Sequence, residues 1–584
     1  MNRPGLPVLP AEFARVVGTL AGETSEGAVL CAALAAHATA GGHVCLDLAR
    51  VAGCAPFDGV LALPALDELI ALLAASPLTT RPGGFAPLVL DGTRLYLHRY
   101  WHYEVSLAAE LLARAQAPAA AVQIDRVRGV LDRLFPPSGD APDMQKIAAA
   151  TAILKGLSVI SGGPGTGKTS TAARILAALV ELAGGKRLAI GLAAPTGKAA
   201  ARLEAALAAL PATRDLGLRA VTLHRLLGFS GGAMPRFDAA NPLPLDVLVV
   251  DEASMIDLAL AAKLVRALPP ATRLILLGDK DQLASVEAGA VLASIAAGAR
   301  GFSPATRAAL ARATGERLPE GGEATPLGDS VVLLERSYRF DAASGIGRLA
   351  RAVRSGDAEA ALSVLDEGGE AAWQAHEAEA LGAAVFAAYE PYFAAVASGA
   401  DPANCFAALA RFRALAALRG GPFGVEAINR SVERRLAARD AAVLHRRWYP
   451  GRPVMVTRND YALRLANGDV GIALADPSAN GGIAIVFETA EGGFRKLSPA
   501  RMPECETVYA MTVHKSQGSE FDDVLLVLPA EPSPVLSREL VYTGVTRAKR
   551  RVAVASKAEI LRAALATRVE RDSGLAERLA VARR

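Results

Sequence analysis

A chain of 584 residues exceeds what one hydrophobic core supports, so three or four domains are expected. With 52% hydrophobic and 21% charged residues, the composition excludes a disordered chain. A net charge of +4 excludes a basic overall field, so any nucleic acid has to be met in a local groove.

The start, Met1-Asn2-Arg3-Pro4, runs into proline-rich sequence without the apolar core of a signal peptide. The apolar stretch 27–48 is interrupted by His37, His43 and a glycine pair, so no membrane-spanning helix is expected. Cys31, Cys45, Cys54, Cys405 and Cys505 form no C-x-x-C pair, which fits free thiols in a reducing cytoplasm.

Residues 1–110 carry helical periodicity at 13–20 and 66–73 and close with a hairpin, Pro87-Leu88-Val89-Leu90, turning at Asp91-Gly92 into Leu95-Tyr96-Leu97. Tyr100, Trp101 and Tyr103 follow, as core aromatics or, alternatively, a partner contact. No nucleotide or metal motif falls here, so the segment reads as an accessory, partner-docking domain. From 111 to 335, short β runs at 157–160, 188–192, 247–250 and 274–277 alternate with helical stretches, the pattern of a parallel sheet covered by helices. A second α/β unit, assigned to 336–584, is expected to open near 331–334 and resume at 506–528 and 551–554. Inside it, at about 455–505, strand-like runs separated by Asn467-Gly468 and Gly481-Gly482 predict an inserted β-barrel.

The most informative stretch is Ser161-Gly162-Gly163-Pro164-Gly165-Thr166-Gly167-Lys168-Thr169-Ser170, which fits G-x-x-x-x-G-K-[ST] between a β run and a periodic helix. Glycines let successive N–H groups converge on a phosphate chain, and the following helix adds its positive end. Lys168 is placed to reach the terminal phosphates and Thr169 to hold Mg²⁺. The run Leu248-Val249-Val250 ends in Asp251 and Glu252. At the carboxyl edge of a sheet beside a phosphate loop, Asp251 is placed to bind Mg²⁺ and Glu252 to deprotonate the attacking water. Gln282, after the 274–277 run, either senses the γ-phosphate or belongs to an ordinary Asp-rich turn.

Taken in order from Gln145 to Arg547, these strings resemble the motifs of a superfamily-one helicase. More closely, the chain is similar to the RecD family, the alpha subunits of exodeoxyribonuclease V. The strings that carry this are 194–200 (APTGKAA), 222–228 (TLHRLLG), 250–255 (VDEASM), 278–286 (GDKDQLASV), 335–339 (ERSYR), 448–455 (WYPGRPVM), 467–469 (NGD), 512–521 (TVHKSQGSEF) and 541–548 (VYTGVTRA). The resemblance covers roughly 140–555 and is weaker over the amino-terminal segment.

That resemblance implies two RecA-like motor domains, a helical amino-terminal accessory domain and a small SH3-like β-barrel in the second motor. It implies an ATP-dependent 5′→3′ DNA helicase working with beta (RecB) and gamma (RecC) subunits at double-strand breaks. Gln145 then reads the adenine, Tyr338 stacks on it, Glu520 holds the ribose, and Arg339 and Arg547 act as arginine fingers opposite Lys168. Thr196, Lys198, Thr222 and His224 in the first motor, and Thr512 and His514 in the second, match loops that touch DNA phosphates. The short, Gly- and Pro-rich segment 229–245 leaves little chain for an extended strand-separating pin. Glu287, Glu323 and Asp329 are scattered, and no nuclease constellation is read here. Two alternatives stay open: a non-catalytic nucleotide-binding subunit, and an RNA-directed motor of the same superfamily.

Overall fold

The protein was analysed as a computed structural model, which describes residues 6–56, 62–117, 123–136, 142–214, 216–229, 234–318, 324–341, 343–460, 462–476, 478, 482–489 and 492–581. Glu323, Gly481, residues 1–4 and part of the 229–245 segment lie outside them. Residues 234–245 form bends and turns without helix or strand.

The first large sheet has six parallel strands, ordered Val331–Leu334, Leu157–Gly162, Arg273–Gly278, Val247–Val250, Ile190–Ala194 and Ala220–Thr222. Its central strands are continuously apolar because helices cover both faces. Alternate residues point to opposite cores: Leu248 and Val250 to one, Val247 and Val249 to the other. Helices Ile124–Leu134, Met144–Leu154, Lys168–Leu182 and Pro304–Thr314 close one side. Helices His98–Gln116, Leu258–Arg266, Val291–Gly298 and Leu575–Ala580 close the other. The strand Val331–Leu334 pairs in register with Leu157–Gly162, so it completes the first sheet and does not open the second unit. Its apolar, β-branched composition suits either sheet; only the pairing partner decides.

The second sheet is also parallel, in the order Ala371–Gln374, Ala548–Ala555, Phe521–Val527, Phe412–Ala416 and Ala510–Thr512. Between Phe412–Ala416 and Ala510–Thr512 the chain makes a five-stranded antiparallel sheet from Pro453–Val456, Val470–Ala475, Ile483–Glu488, Phe494–Leu497 and Cys505–Thr507. This insert has its own small core of Val454, Val456, Leu465, Ala473, Ile485, Phe487 and Leu497. Among the described residues no ladder joins its two outer strands, Phe494–Leu497 and Cys505–Thr507.

The amino-terminal region has helices Val8–Ala21, Glu26–Ala40 and Leu66–Ala75 on a small sheet whose hairpin pairs Leu88–Asp91 with Arg94–Leu97. It does not stop at 110. The 19-residue helix His98–Gln116 runs past that boundary, and Leu107, Leu111 and Leu112 enter the core of the first large sheet. Near its end Arg114 is buried and donates to the carbonyls of Pro269, Thr272 and Leu268. The end of the chain also departs from the 336–584 assignment. Residues 570–580 leave the second sheet and bind the amino-terminal hairpin and the first motor. Val44 N–H donates to Asp572 O at 2.8 Å, and Arg578 pairs with Asp91 and Glu104. Glu104, fully buried, accepts from the Tyr96 hydroxyl, the Ser573 hydroxyl, the Gly574 N–H and Arg578 Nε. Arg571 donates to the carbonyls of Gly42, Ser285 and Glu287, tying this strap to two other segments.

No single helix among the described residues is long and apolar enough to cross a membrane; one bent pair, Ala378–Ala388 with Glu390–Ala397, passes by length and composition together. All five cysteines are free, and burial pushes Cys31 and Cys45 up to about 12.

Candidate active site and nucleic-acid interface

The phosphate loop follows Leu157–Gly162 and leads into helix Lys168–Leu182. Gly165 and Gly167 have φ of 77° and 81°, a left-handed backbone that side chains resist, so glycine is required at both. Lys168 Nζ donates to the carbonyls of Gly162 (2.5 Å) and Gly163 (3.0 Å), which folds its ammonium over the loop. In the first helical turn, Ser170 and Thr171 turn their hydroxyls back onto Gly167 O, each at 2.9 Å. No hydrogen bond among the described residues occupies the Thr169 hydroxyl. The donor set therefore suits a magnesium-bound phosphate chain: an ammonium, a free hydroxyl and a helix amino terminus.

Asp143 caps helix Met144–Leu154 by accepting from the N–H groups of Gln145 and Lys146, a contact of about 1 kcal/mol. That fixes Gln145, whose amide donates to Thr166 O at 2.9 Å, flat against the loop. Thr166 in turn donates to Gly163 O.

At the far side of the cleft floor, Asp251 accepts from the N–H of Glu252 at 2.8 Å. Burial, reinforced by the neighbouring Glu252 carboxylate, pushes the Asp251 carboxyl up to about 6. Glu252 itself has φ of 52°, one of two non-glycine residues in the left-handed region among the described residues. Holding a glutamate there costs about 1 kcal/mol, strain of the kind that collects at reactive sites. Gln282, buried, donates to Asp279 at 3.0 Å. Burial raises the pKa of Asp279, with Lys168 opposing.

The segment that leaves the first sheet after Val331–Leu334, together with the second sheet, supplies the opposite wall. Tyr338 N–H donates to Gly165 O at 2.8 Å, and Ser337 donates to Pro164 O, so the 337–339 segment is seated on the phosphate loop. The Tyr338 ring is 57% exposed, with Arg336 over one face. Arg339 Nη2 pairs with Glu520 at 2.8 Å, whereas its Nη1 is buried without a partner. Such an orphaned cation is what an anionic phosphate satisfies. Burial alone raises the pKa of Glu520, but Arg202 and Arg339 reverse that and hold it below the usual glutamate range. Arg547 is buried, bonded to the carbonyls of Thr543 and Ser519, with Glu252 and Glu520 as its acidic neighbours.

Sheet order separates a second set of residues from these. Thr196 and Lys198 follow Ile190–Ala194, and Thr222 and His224 follow Ala220–Thr222, at the opposite lateral end from Leu157–Gly162. Thr196 caps helix Gly197–Ala208 through the Ala199 N–H, and Thr222 caps Leu223–Leu226 through the Arg225 N–H. Lys198 is exposed; desolvation by the groups packed around it, with Arg413 nearby, lowers its ammonium to about 8 despite Asp469 and Glu488. His224 is exposed beside Phe229. In the second sheet, Thr512 accepts from Lys515 N–H, and burial followed by Arg571 lowers the His514 pKa. These side chains line loops at the carboxyl ends of strands in both sheets.

Four residues given no role in the sequence reading hold the two halves together: Arg202, Gln517, Tyr542 and Thr543. Arg202 pairs with Glu520. Leu283, next to Gln282, donates its N–H to Thr543 and accepts from Gln517. The Tyr542 hydroxyl lies beside Asp279. Gln517, Tyr542 and Thr543 lie inside the strings at 512–521 and 541–548, and Arg202 just past 194–200; their pairing required the fold. Among the described residues, no group of three or more His, Cys, Asp or Glu could hold a metal ion.

A phosphate loop on one parallel sheet, faced by Arg547 from a second and Arg339 from the segment between the two, defines a two-domain motor of the superfamily-one helicase class. Residues 5–96 match the RecBCD enzyme subunit RecD N-terminal domain, 145–288 an AAA domain and 507–555 a UvrD-like helicase C-terminal domain. The RecBCD enzyme subunit RecD of Mycolicibacterium smegmatis is 43% identical over 96% of this chain and 95% of its own length. That of Mycobacterium tuberculosis is 42% identical over 99% and 96%. Among solved structures, a Bacteroides Pif1 helicase in complex with ADP-AlF3 and ssDNA aligns with 70% of this chain and 91% of its own, at 17% identity and TM-score 0.38. The chain belongs to the RecD family of RecBCD enzyme subunits.

Proposed function

We propose that this chain is the ATP-dependent DNA helicase motor of a RecBCD-type helicase–nuclease, moving 5′→3′ on DNA at double-strand breaks. The observation that carries the reading is the seating of Ser337 and Tyr338, which precede Arg339, on the phosphate loop that holds Lys168. ATP is the substrate of this cleft. Lys168 and the loop N–H groups take its phosphates, Gln145 and Tyr338 its base, and Glu520 its ribose. Thr169 and Asp251 hold Mg²⁺, which supplies charge neutralisation on the phosphates. Glu252 accepts the proton of the attacking water, Gln282 orients at the γ-phosphate, and Arg339 and Arg547 stabilise negative charge opposite Lys168.

Thr196, Lys198, Thr222 and His224 hold the strand's backbone on the first motor, and Thr512 and His514 on the second. Residues 111–335 and 336–567 act as the two motors, with 570–580 strapped to the first. The insert between 453 and 507 works as a small SH3-like barrel. RecB and RecC are the partners, met through the amino-terminal region, where Val8, Leu9 and Leu20 stand exposed on helix Val8–Ala21. Leu9→Glu with Leu20→Glu removes co-purification with the partners if this face docks them; retained assembly refutes it.

The test of the motor is Lys168→Gln in the full chain. Its far-UV circular dichroism is expected to match the parent's while ATP hydrolysis with single-stranded DNA is abolished. DNA-stimulated hydrolysis that persists in Lys168→Gln sinks the reading. Single-turnover unwinding of a 5′-tailed duplex, against a 3′-tailed one, checks the polarity.

A further inference from the structure

Helix Gly197–Ala208 carries Lys198 in its first turn and Arg202 in its second, four residues apart and therefore on one side. Lys198 belongs to the DNA-facing turn. Arg202, one turn further on, pairs through Nη2 with Oε1 of Glu520. The same oxygen takes Nη2 of Arg339 at 2.8 Å. One carboxylate oxygen thus serves two guanidiniums, one from each half of the motor. Arg339, having placed Nη2 on Glu520, keeps a buried Nη1 with no partner.

The loop bearing Glu520 touches this helix at a second point. Gly518 sits over Ala199, so close that a Cβ on the glycine would lie 3.6 Å from the alanine methyl. Three residues before Glu520, Gln517 bonds Leu283 of the ATP-site loop. A helix moves as a rigid body, so a displacement of its first turn carries Arg202 with it. Two cations on one oxygen compete: what Arg202 gains on Glu520, Arg339 loses.

We propose that Arg202 is a positioning residue that couples DNA engagement at the Thr196–Lys198 turn to Arg339 in the ATP cleft, by sharing Glu520 with it. When Arg202 takes the carboxylate fully, Arg339 is released toward phosphate; when Arg202 withdraws, Glu520 holds Arg339 back. This inference rests on the motor reading above, with DNA on the first motor's loops and ATP in the cleft.

The test uses the full-length chain and its Arg202→Ala, Arg202→Gln and Arg202→Lys variants. ATP hydrolysis is measured with and without saturating oligothymidylate, giving kcat and KM in each state, and oligothymidylate affinity is read by fluorescence anisotropy. In Arg202→Ala the ratio of stimulated to basal kcat is expected to fall about tenfold, with KM for ATP and Kd for DNA within about twofold of the parent. Arg202→Lys, which keeps the charge, is expected to recover most of the ratio. Arg202→Gln, with a neutral side chain of similar reach, behaves as Arg202→Ala and stands in for it should the alanine variant fail to fold. An unchanged ratio in Arg202→Ala or Arg202→Gln overturns the proposal. So does an equal fall in basal and stimulated rates, which marks a structural role, or a parallel loss of DNA affinity. A parent chain with no DNA stimulation at all refutes the motor reading instead, which separates the two failures.

Discussion

The side-chain amide of Gln517 donates to the carbonyl of Leu283 at 2.8 Å, joining the second motor's 512–521 loop to the residue beside Gln282. Leu283 is held from its other side as well, since its N–H donates to Thr543 at 2.9 Å. The residue that follows Gln282 in one half is thus pinned by two residues of the other, next to the loop that carries Thr512 and His514.

Removing this pin is expected to separate hydrolysis from movement. Gln517→Ala combined with Thr543→Val leaves Lys168, Asp251 and Glu252 in place but cuts both bonds to Leu283. Base pairs opened per ATP should fall severalfold, read by stopped-flow unwinding beside phosphate release. A normal coupling ratio in the double variant shows that the bonds carry no information.

Asp251 carries a carboxyl that its surroundings hold above the usual range. Its folded pKa lies above the unfolded value, so the folded state binds the extra proton between about pH 4 and 6. Wild type therefore gains stability as pH falls through that window and carries the cost of a buried charge above it. Asp251→Asn lacks that charge and should be more stable than wild type at pH 7.5 by about 1–2 kcal/mol, an advantage that shrinks toward pH 4. The carboxylate is partly reached by solvent, which keeps the figure modest. Urea unfolding at several pH values measures it, and the variant should hydrolyse no ATP.

Glu252 offers a second stability–activity trade from a different cause. Its φ of 52° suits glycine, so Glu252→Gly should relieve backbone strain and raise stability by about 0.5–1 kcal/mol while hydrolysis collapses. Glu252→Val, β-branched at the same angle, should lose stability instead. Thermal melts of the pair give opposite signs if the left-handed backbone is the cause.

Glu104 has four donors and no solvent. Glu104→Ala leaves Arg578 with Asp91 alone and the Gly574 N–H unpaired, and should cost about 3 kcal/mol. The strap at 570–580 should then become sensitive to limited proteolysis before the motor sheets do. Simultaneous cleavage throughout the chain contradicts a local role for this carboxylate.

Much of the motor was readable because its chemistry is local in sequence. Phosphate loop, acidic strand end and Gln282 each sit within a few residues of an apolar run, and the four central strands of the first sheet came within a few residues of their observed ends. What stayed hidden depended on pairing between distant segments. Val331–Leu334 carries no label for the sheet it joins. Helix His98–Gln116 has a strong apolar face, but that face does not say it will cover the first motor sheet. Arg202 reads as one more surface arginine in an alanine-rich helix until Glu520, a distant residue in sequence, comes beside it. The short strands Ala220–Thr222 and Ala510–Thr512 are too brief for a period to show.

The strap has a consequence for how the protein is made. Ser573 meets Glu104 across 469 positions of sequence, and Val44 takes its carbonyl partner from Asp572. A ribosome delivers the amino-terminal hairpin early, with Tyr96 in place beside Glu104 and the donors from Ser573, Gly574 and Arg578 not yet synthesised. That region must wait, its acid hydrated and its helix His98–Gln116 only partly covered, until both motor sheets have emerged. Completion of the first domain is thereby timed by the last segment to bind it, and a truncated chain announces itself by an unfinished beginning.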